Sequence, residues 1–270
     1  MGRASGVGQL FSLGSLPVFF QPLGTRRLFL GLFATGALWP HGISGQSPNL
    51  EIDLLLQKVM DAMGGLEKVK KGLIRRRTGK GKMKNGETEI EFKEDILTAG
   101  QDKIRFTLVL NNTTPITIGV LGDKGWTSSN GNAAFPLPAD RLREVKQEAL
   151  VMYLATLVPL VENKYPMKLR NLESVQGRDA VGLEVLVPGN RPVIFHFDKG
   201  TMLLVKRTYH TIEGGKPILK EVFHREFADF AGLRLPTRET VLQDQKLFVD
   251  VSEIKYTLYP RIEDSFFEKP

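Results

Sequence analysis

The chain has 270 residues, with 37 Lys and Arg against 30 Asp and Glu, and no cysteine. The missing cysteine excludes a disulfide framework, thiolate metal sites, cysteine nucleophiles and a lipid-modified N-terminal cysteine, so stability has to come from burial. The formal net charge of +7 gives no case for nucleic acid by itself.

Residues 1–45 contain Arg3, Arg26 and Arg27 and no acidic residue. Arg26 and Arg27 stand directly before the apolar run Leu28 to Trp39, the order of a removable export signal. That run is 12 residues long, short of the roughly 20 a membrane-spanning helix needs. Small residues from Ser44 to Ser47 place cleavage in that stretch. The Arg26-Arg27 pair also resembles the twin-arginine export motif, and an ordinary signal with two basic residues fits equally. Removal leaves residues 46–270 as one domain, with 34 basic against 30 acidic residues.

After the signal, Leu55, Leu56, Val59, Met60 and Met63 recur at helical spacing, and Gly64-Gly65 ends the pattern. A shorter helical turn is expected over Leu66 to Lys71. Beyond Gly72 the period becomes two: Ile90 and Phe92, then Ile104, Phe106, Leu108 and Leu110, then Ile116, Ile118 and Val120 alternate with mostly polar neighbours. One long helix is predicted from about Pro138 to a stop near Pro159, amphipathic at first and then apolar on nearly every side from Ala149. Turn residues follow at Pro188-Gly189-Asn190, Asp198-Lys199-Gly200, Glu213-Gly214-Gly215, Ala231-Gly232 and Asp244-Gln245. This spacing predicts consecutive antiparallel strands in one curved sheet or barrel, with the apolar helix plugging it.

No catalytic pattern emerges. His196, His210 and His224 are kept apart by the hairpins, with His210 opposite Leu219 and His224 near Val205, so no metal site is expected. Gly79-Lys80-Gly81 lacks the spacing of a phosphate loop, Ser128-Ser129-Asn130-Gly131 lacks the context of a nucleophile elbow, and the adjacent carboxylates Glu94 and Asp95 point to opposite faces of a strand. No cofactor is indicated. The main charge feature is Lys68 to Lys84, nine basic residues and no acid. Its members Arg75, Arg76, Arg77, Lys80 and Lys82 are candidates for an anionic headgroup or an acidic partner; the alternative is an edge strand whose charges block aggregation. Interleaved aromatics for nucleic acid are absent.

Several segments carry a family resemblance: Ala62-Met63-Gly64-Gly65-Leu66-Glu67-Lys68, Lys103-Ile104-Arg105-Phe106, Gly125-Trp126, Gly177-Arg178-Asp179-Ala180, Phe197-Asp198-Lys199-Gly200-Thr201-Met202-Leu203-Leu204-Val205-Lys206-Arg207, Phe230-Ala231-Gly232-Leu233-Arg234-Leu235-Pro236-Thr237 and Asp264-Ser265-Phe266-Phe267. In these the chain resembles periplasmic lipoprotein carriers of the LolA/LolB type, including the outer-membrane lipoprotein-sorting proteins. The resemblance implies a mainly β fold: a strongly curved antiparallel half-barrel with helices across its mouth and an apolar cavity. One place departs: where the lipoprotein carriers show an Arg-Pro pair, this chain reads Gly100-Gln101-Asp102.

The function this implies is a non-enzymatic periplasmic carrier of an acyl chain, lipid or lipoprotein, with a possible membrane-protein partner in the envelope. The expected cavity face is Phe92, Phe106, Leu108, Leu110 and Ile118, with Leu150, Leu154 and Leu157 as the lid. The same side chains would also suit an ordinary packed core. The rival functions are an envelope interaction or sensor module using the basic strand, and an enzyme whose site the sequence does not display.

Overall fold

The computed structural model describes residues 50–270. The expected export segment, including Arg26, Arg27, His41 and the expected cleavage region, lies outside the described residues.

Two helices open the fold. Helix α1 (Leu50–Met63) buries Ile52, Leu55, Leu56, Val59, Met60 and Met63 along one stripe. Gly64 ends it at φ 116°, and a Cβ there would sit 2.0 Å from the Gly232 carbonyl oxygen. Only glycine therefore serves both the left-handed backbone and the docking of the helix end on a strand turn. Helix α2 (Leu66–Lys71) is a short continuation.

Six strands then meander: β1 (Ile74–Asn85), β2 (Thr88–Ala99), β3 (Lys103–Leu110), β4 (Pro115–Leu121), β5 (Lys124–Ser129) and the two-residue β6 (Phe135–Pro136). Helices α3 (Ala139–Leu154) and α4 (Val158–Val161) follow. Seven more strands complete the sheet: β7 (Met167–Val175), β8 (Arg178–Val185), β9 (Val193–Asp198), β10 (Leu204–Glu213), β11 (Lys216–Phe230), β12 (Leu233–Gln243) and β13 (Lys246–Leu258). All thirteen form one curved, open antiparallel sheet in the order β6-β5-β4-β3-β2-β1-β13-β12-β11-β10-β9-β8-β7.

This order explains why helices cover the mouth. The chain meanders outward from β1 to the edge strand β6, and it must restart at the opposite edge, β7. The connection between the two edges has to cross the open side, and α3 with α4 is that connection. Two apolar clusters lie beneath it. One joins α1 and α4 to β8 and β9 around Val59, Leu160, Leu183, Phe195 and Phe197. The other packs Val145 and Ala149 of α3 on Ile104, Phe106, Ile118 and Val120.

Two expectations are corrected. Strand β1 is not an edge strand, because it pairs along its length with β2 and β13. The predicted single helix is two: Leu157 turns left-handed at φ 64° and Pro159 stands in the first turn of α4. Proline removes a helical N–H and crowds the carbonyl four residues back, at Ala155, so the chain bends there and accommodates the ring where a new helix starts.

Candidate functional site in the concave interior

Alternation along a strand sends every second side chain to the face under the helices. Most of these inward positions are apolar, but a belt of ionic groups crosses the middle of the sheet. From β1 come Arg75 and Arg77, from β2 Glu94, from β10 Arg207 and Tyr209, from β11 Lys220 and His224, and from β12 Glu239.

Arg77 anchors the belt. Its Nη2 lies 2.8 Å from Glu94 Oε1 and 2.6 Å from Glu239 Oε2. Glu239 Oε1 is 3.0 Å from His224 Nδ1 and 3.9 Å from Arg207 Nη2. Gly79, next on the inward row of β1, leaves the space that Glu94 fills, since a Cβ there would meet Glu94 Oε1 at 2.6 Å. A second group adjoins. Lys220, with no exposed surface, sits 2.6 Å from both Glu148 of α3 and Glu213 of β10, and Tyr209 donates a 2.8 Å hydrogen bond to Glu148 Oε2.

Low-dielectric surroundings set the charge states. Burial alone would raise Glu239, yet the Arg77 charge and His224 hold its carboxyl well below the usual range. Burial pushes Glu94 up in spite of Arg77. Burial also lowers His224, favouring the neutral imidazole, and lowers Arg75, whose neighbours Arg207 and Arg77 act the same way. For Lys220 burial works downward, and the charges of Glu148 and Glu213 reverse it to a raised value.

Two cavities flank the belt. The first, about 70 Å³, lies at the ends of α1 and α3 and is walled by Met63, Met152, Phe227 and Leu235 together with Arg75, Arg207 and His224. The second, about 80 Å³, is walled by Phe92, Phe106, Leu108, Val222 and Phe248. Arg77, Ile96, Met152, Arg207 and Glu239 border both.

Of the expected cavity residues, Phe92, Phe106, Leu108 and Ile118 face inward and are buried, with Leu110 half-buried beside them; the first three wall the second cavity. The expected lid residues are placed differently. Leu154 and Leu157 are fully buried and Leu150 half-buried in the α1-side cluster. The helix side facing the cavities is instead Glu148, Met152 and Ala155, spaced by four and three residues.

The basic segment divides between the two faces of β1. Arg75 and Arg77 point in. Arg76, Lys80 and Lys82 point out, and each is paired with a carboxylate of a neighbouring strand: Asp95, Glu253 and Glu89. Among the described residues no group of three or more His, Asp or Glu is placed to hold a metal ion. His210 stands opposite Leu219, and His196 faces the other side of the sheet from His224, 3.1 Å from Glu173. Among the described residues no helix is long and apolar enough to cross a membrane.

Sequence reasoning missed the belt. Its signal was present as charged residues within apolar stripes: Glu94 between Phe92 and Ile96, and Lys220 two residues before Val222.

No protein-family model and no curated protein matches the sequence. Among solved structures, the chain is similar to an outer membrane lipoprotein-sorting protein domain from Vibrio parahaemolyticus, at 11% identity and a TM-score of 0.51, covering 80% of this chain and 97% of that one. A LolA-superfamily protein from Nitrosomonas europaea follows at 12% identity, TM-score 0.49, covering 79% and 97%. A DUF1329 family protein from Desulfovibrio piger follows at 13% identity, TM-score 0.48, covering 80% and 97%. With its order of strands and its helices across the open side, the chain has the fold of the outer-membrane lipoprotein-sorting domains.

Proposed function

We propose that the chain is an exported, non-enzymatic carrier that shelters the acyl chain of a lipid or lipoprotein between the curved sheet and α3. The observation that carries this reading is the pair of cavities separated by a buried ionic belt. Removing charges from water is costly, and a core selected for stability alone does better with apolar packing. A belt of this kind, beside open space and walled by adaptable methionines, suits an interior that receives a guest. The description of the Vibrio parahaemolyticus domain as a lipoprotein-sorting protein supports the same reading.

The cavities of about 70 and 80 Å³ are each the size of two or three waters at ~30 Å³ apiece. An acyl chain therefore needs α3 to swing outward and merge them. The energetics permit this, because a chain of ~16 carbons gains roughly 12 kcal/mol at ~0.8 kcal/mol per buried CH₂, before ordering costs.

The test is to extract protein purified from a bacterial envelope with organic solvent, identify co-purified lipid by mass, and titrate the delipidated protein with a fluorescent acyl probe. Bound lipid and saturable uptake are expected; absence of both removes the carrier reading. The rival interaction module, based on the outward side of β1, has less support, since Arg76, Lys80 and Lys82 are already matched by carboxylates.

A further inference from the structure

We infer that the guest carries an anionic group, a carboxylate or phosphate attached to its acyl chain, and that Arg75 and Arg207 hold that group in the first cavity. This deepens the carrier reading and rests on it.

Charge balance is the first argument. Of the four arginines that border this cavity, Arg75, Arg77 and Arg207 are buried or half-buried and Arg234 is exposed; Glu94 holds Arg77 at 2.8 Å from outside the lining, and the one carboxylate in the lining is Glu239. That carboxylate is already engaged by Arg77 at 2.6 Å. Arg75 sits two residues from Arg77 on the same inward row, half-buried, and among the described residues no carboxylate comes within ion-pair distance of it, Glu239 acting on it only from farther off. A cation so placed costs stability until a negative group joins it.

Hydrogen bonding points the same way. The Nε atoms of Arg77 and Arg207 have no hydrogen-bond partner, and neither has Nε2 of the buried His224, whose Nδ1 lies against Glu239. Guanidinium groups only donate. The complement of such a set is a compact acceptor bearing negative charge, the kind of group arginine binds in forked geometry. The cavity's size fits a headgroup and not a tail.

The remaining walls separate an amphiphile from a free anion. Met63, Ile96, Met152, Phe227 and Leu235 offer nothing to inorganic phosphate but line a path for hydrocarbon. That path leads past Met152 to the aromatic second cavity. The guest's polarity is thus fixed, head among the arginines and tail toward Phe92, Phe106 and Leu108.

The experiment compares a fluorescent C16 fatty carboxylate with its uncharged methyl ester on the unmodified protein, then on Arg75→Gln and Arg75→Lys. The carboxylate should bind on the order of tenfold or more tightly than the ester, the range expected for a charge-assisted pair. Arg75→Gln should abolish that preference while leaving ester binding and cooperative unfolding intact, and Arg75→Lys should restore part of it. Equal binding of both probes by the unmodified protein, or equal loss of both in Arg75→Gln, overturns the anionic guest and leaves the carrier reading standing. Failure to bind either probe brings down the carrier reading itself. Displacement of the carboxylate probe by millimolar inorganic phosphate alone, with no effect of chain length, assigns the belt to a free anion and overturns the amphiphile.

Discussion

The Lys220 ammonium, wholly removed from solvent, lies 2.6 Å from Glu148 on α3. It thereby ties the helix that crosses the mouth to the floor of the sheet. Any outward swing of α3 must break this contact together with the Tyr209–Glu148 hydrogen bond.

Lys220→Met removes the ammonium that Glu148 and Glu213 share. A loss of about 3–5 kcal/mol is expected, read from urea unfolding. Adding Glu148→Gln and Glu213→Gln should recover part of it, because two buried negative charges are then gone. A single variant as stable as the parent would show that the ionic group contributes nothing to closure.

Stability should fall on mild acidification. Burial places the folded-state pKa values of His196, His210 and His224 below the ordinary value, so the unfolded chain takes up protons first. Their contribution is present above ~6.5 and is lost as pH falls through the folded values. Glu239, held low, adds a second decline below ~4.3; Glu94, held high, takes up its proton first in the folded state and so partly offsets the earlier decline above ~4.3. At the alkaline end Lys220, with its raised pKa, contributes fully below ~10.4 and is lost as pH rises through its folded value. Guanidinium unfolding across this range checks the signs, and His224→Gln should flatten the first limb.

Met152 and Leu154 are two residues apart on α3 and should respond oppositely. Leu154, fully buried in the α1-side cluster, should cost about 2–5 kcal/mol when cut to alanine, with acyl-probe affinity little changed in the folded protein. Met152→Ala, at the border of both cavities, should cost less and alter probe affinity several-fold. Paired melting and probe titrations check this, and the reverse ranking would move the guest's path elsewhere.

Protein recovered from the envelope of a bacterial host should begin between residues 45 and 48. N-terminal sequencing reads this directly, and an intact Met1 on that material would overturn cleavage. Replacing Arg26 and Arg27 by Lys should block export only if the twin-arginine route is used.

The hairpins were legible in the sequence because their chemistry is local. Glu213-Gly214-Gly215 fixed the register that puts His210 opposite Leu219, and the period-two stripes located β2 to β4. The break between α3 and α4 was hidden: from Ala149 the chain is apolar on all sides, so no change of face marks Leu157. The belt was hidden for another reason. Arg75 and Arg77 alternate with Arg76, and a strand charged on both faces does not declare which one is covered. Their partners Glu94 and Glu239 lie on β2 and the distant β12. Reading β1 as an edge was the same error, since its second neighbour is the last strand of the sheet.

The pairing of β1 with β13 also governs when the molecule can finish folding. Arg75 meets Leu258 across that ladder, so a contact near the start of the described chain waits for residues near its end. Structures dominated by such distant pairings fold slowly, in milliseconds to seconds for small all-β domains. Until β13 is available, β1 keeps one bare hydrogen-bonding edge and the inward ionic row is wet on that side. A nascent or truncated chain lacking β13 is thus both unable to seal its interior and open to strand pairing with other copies, which gives the basic residues of β1 a protective part during biosynthesis that the finished sheet no longer requires.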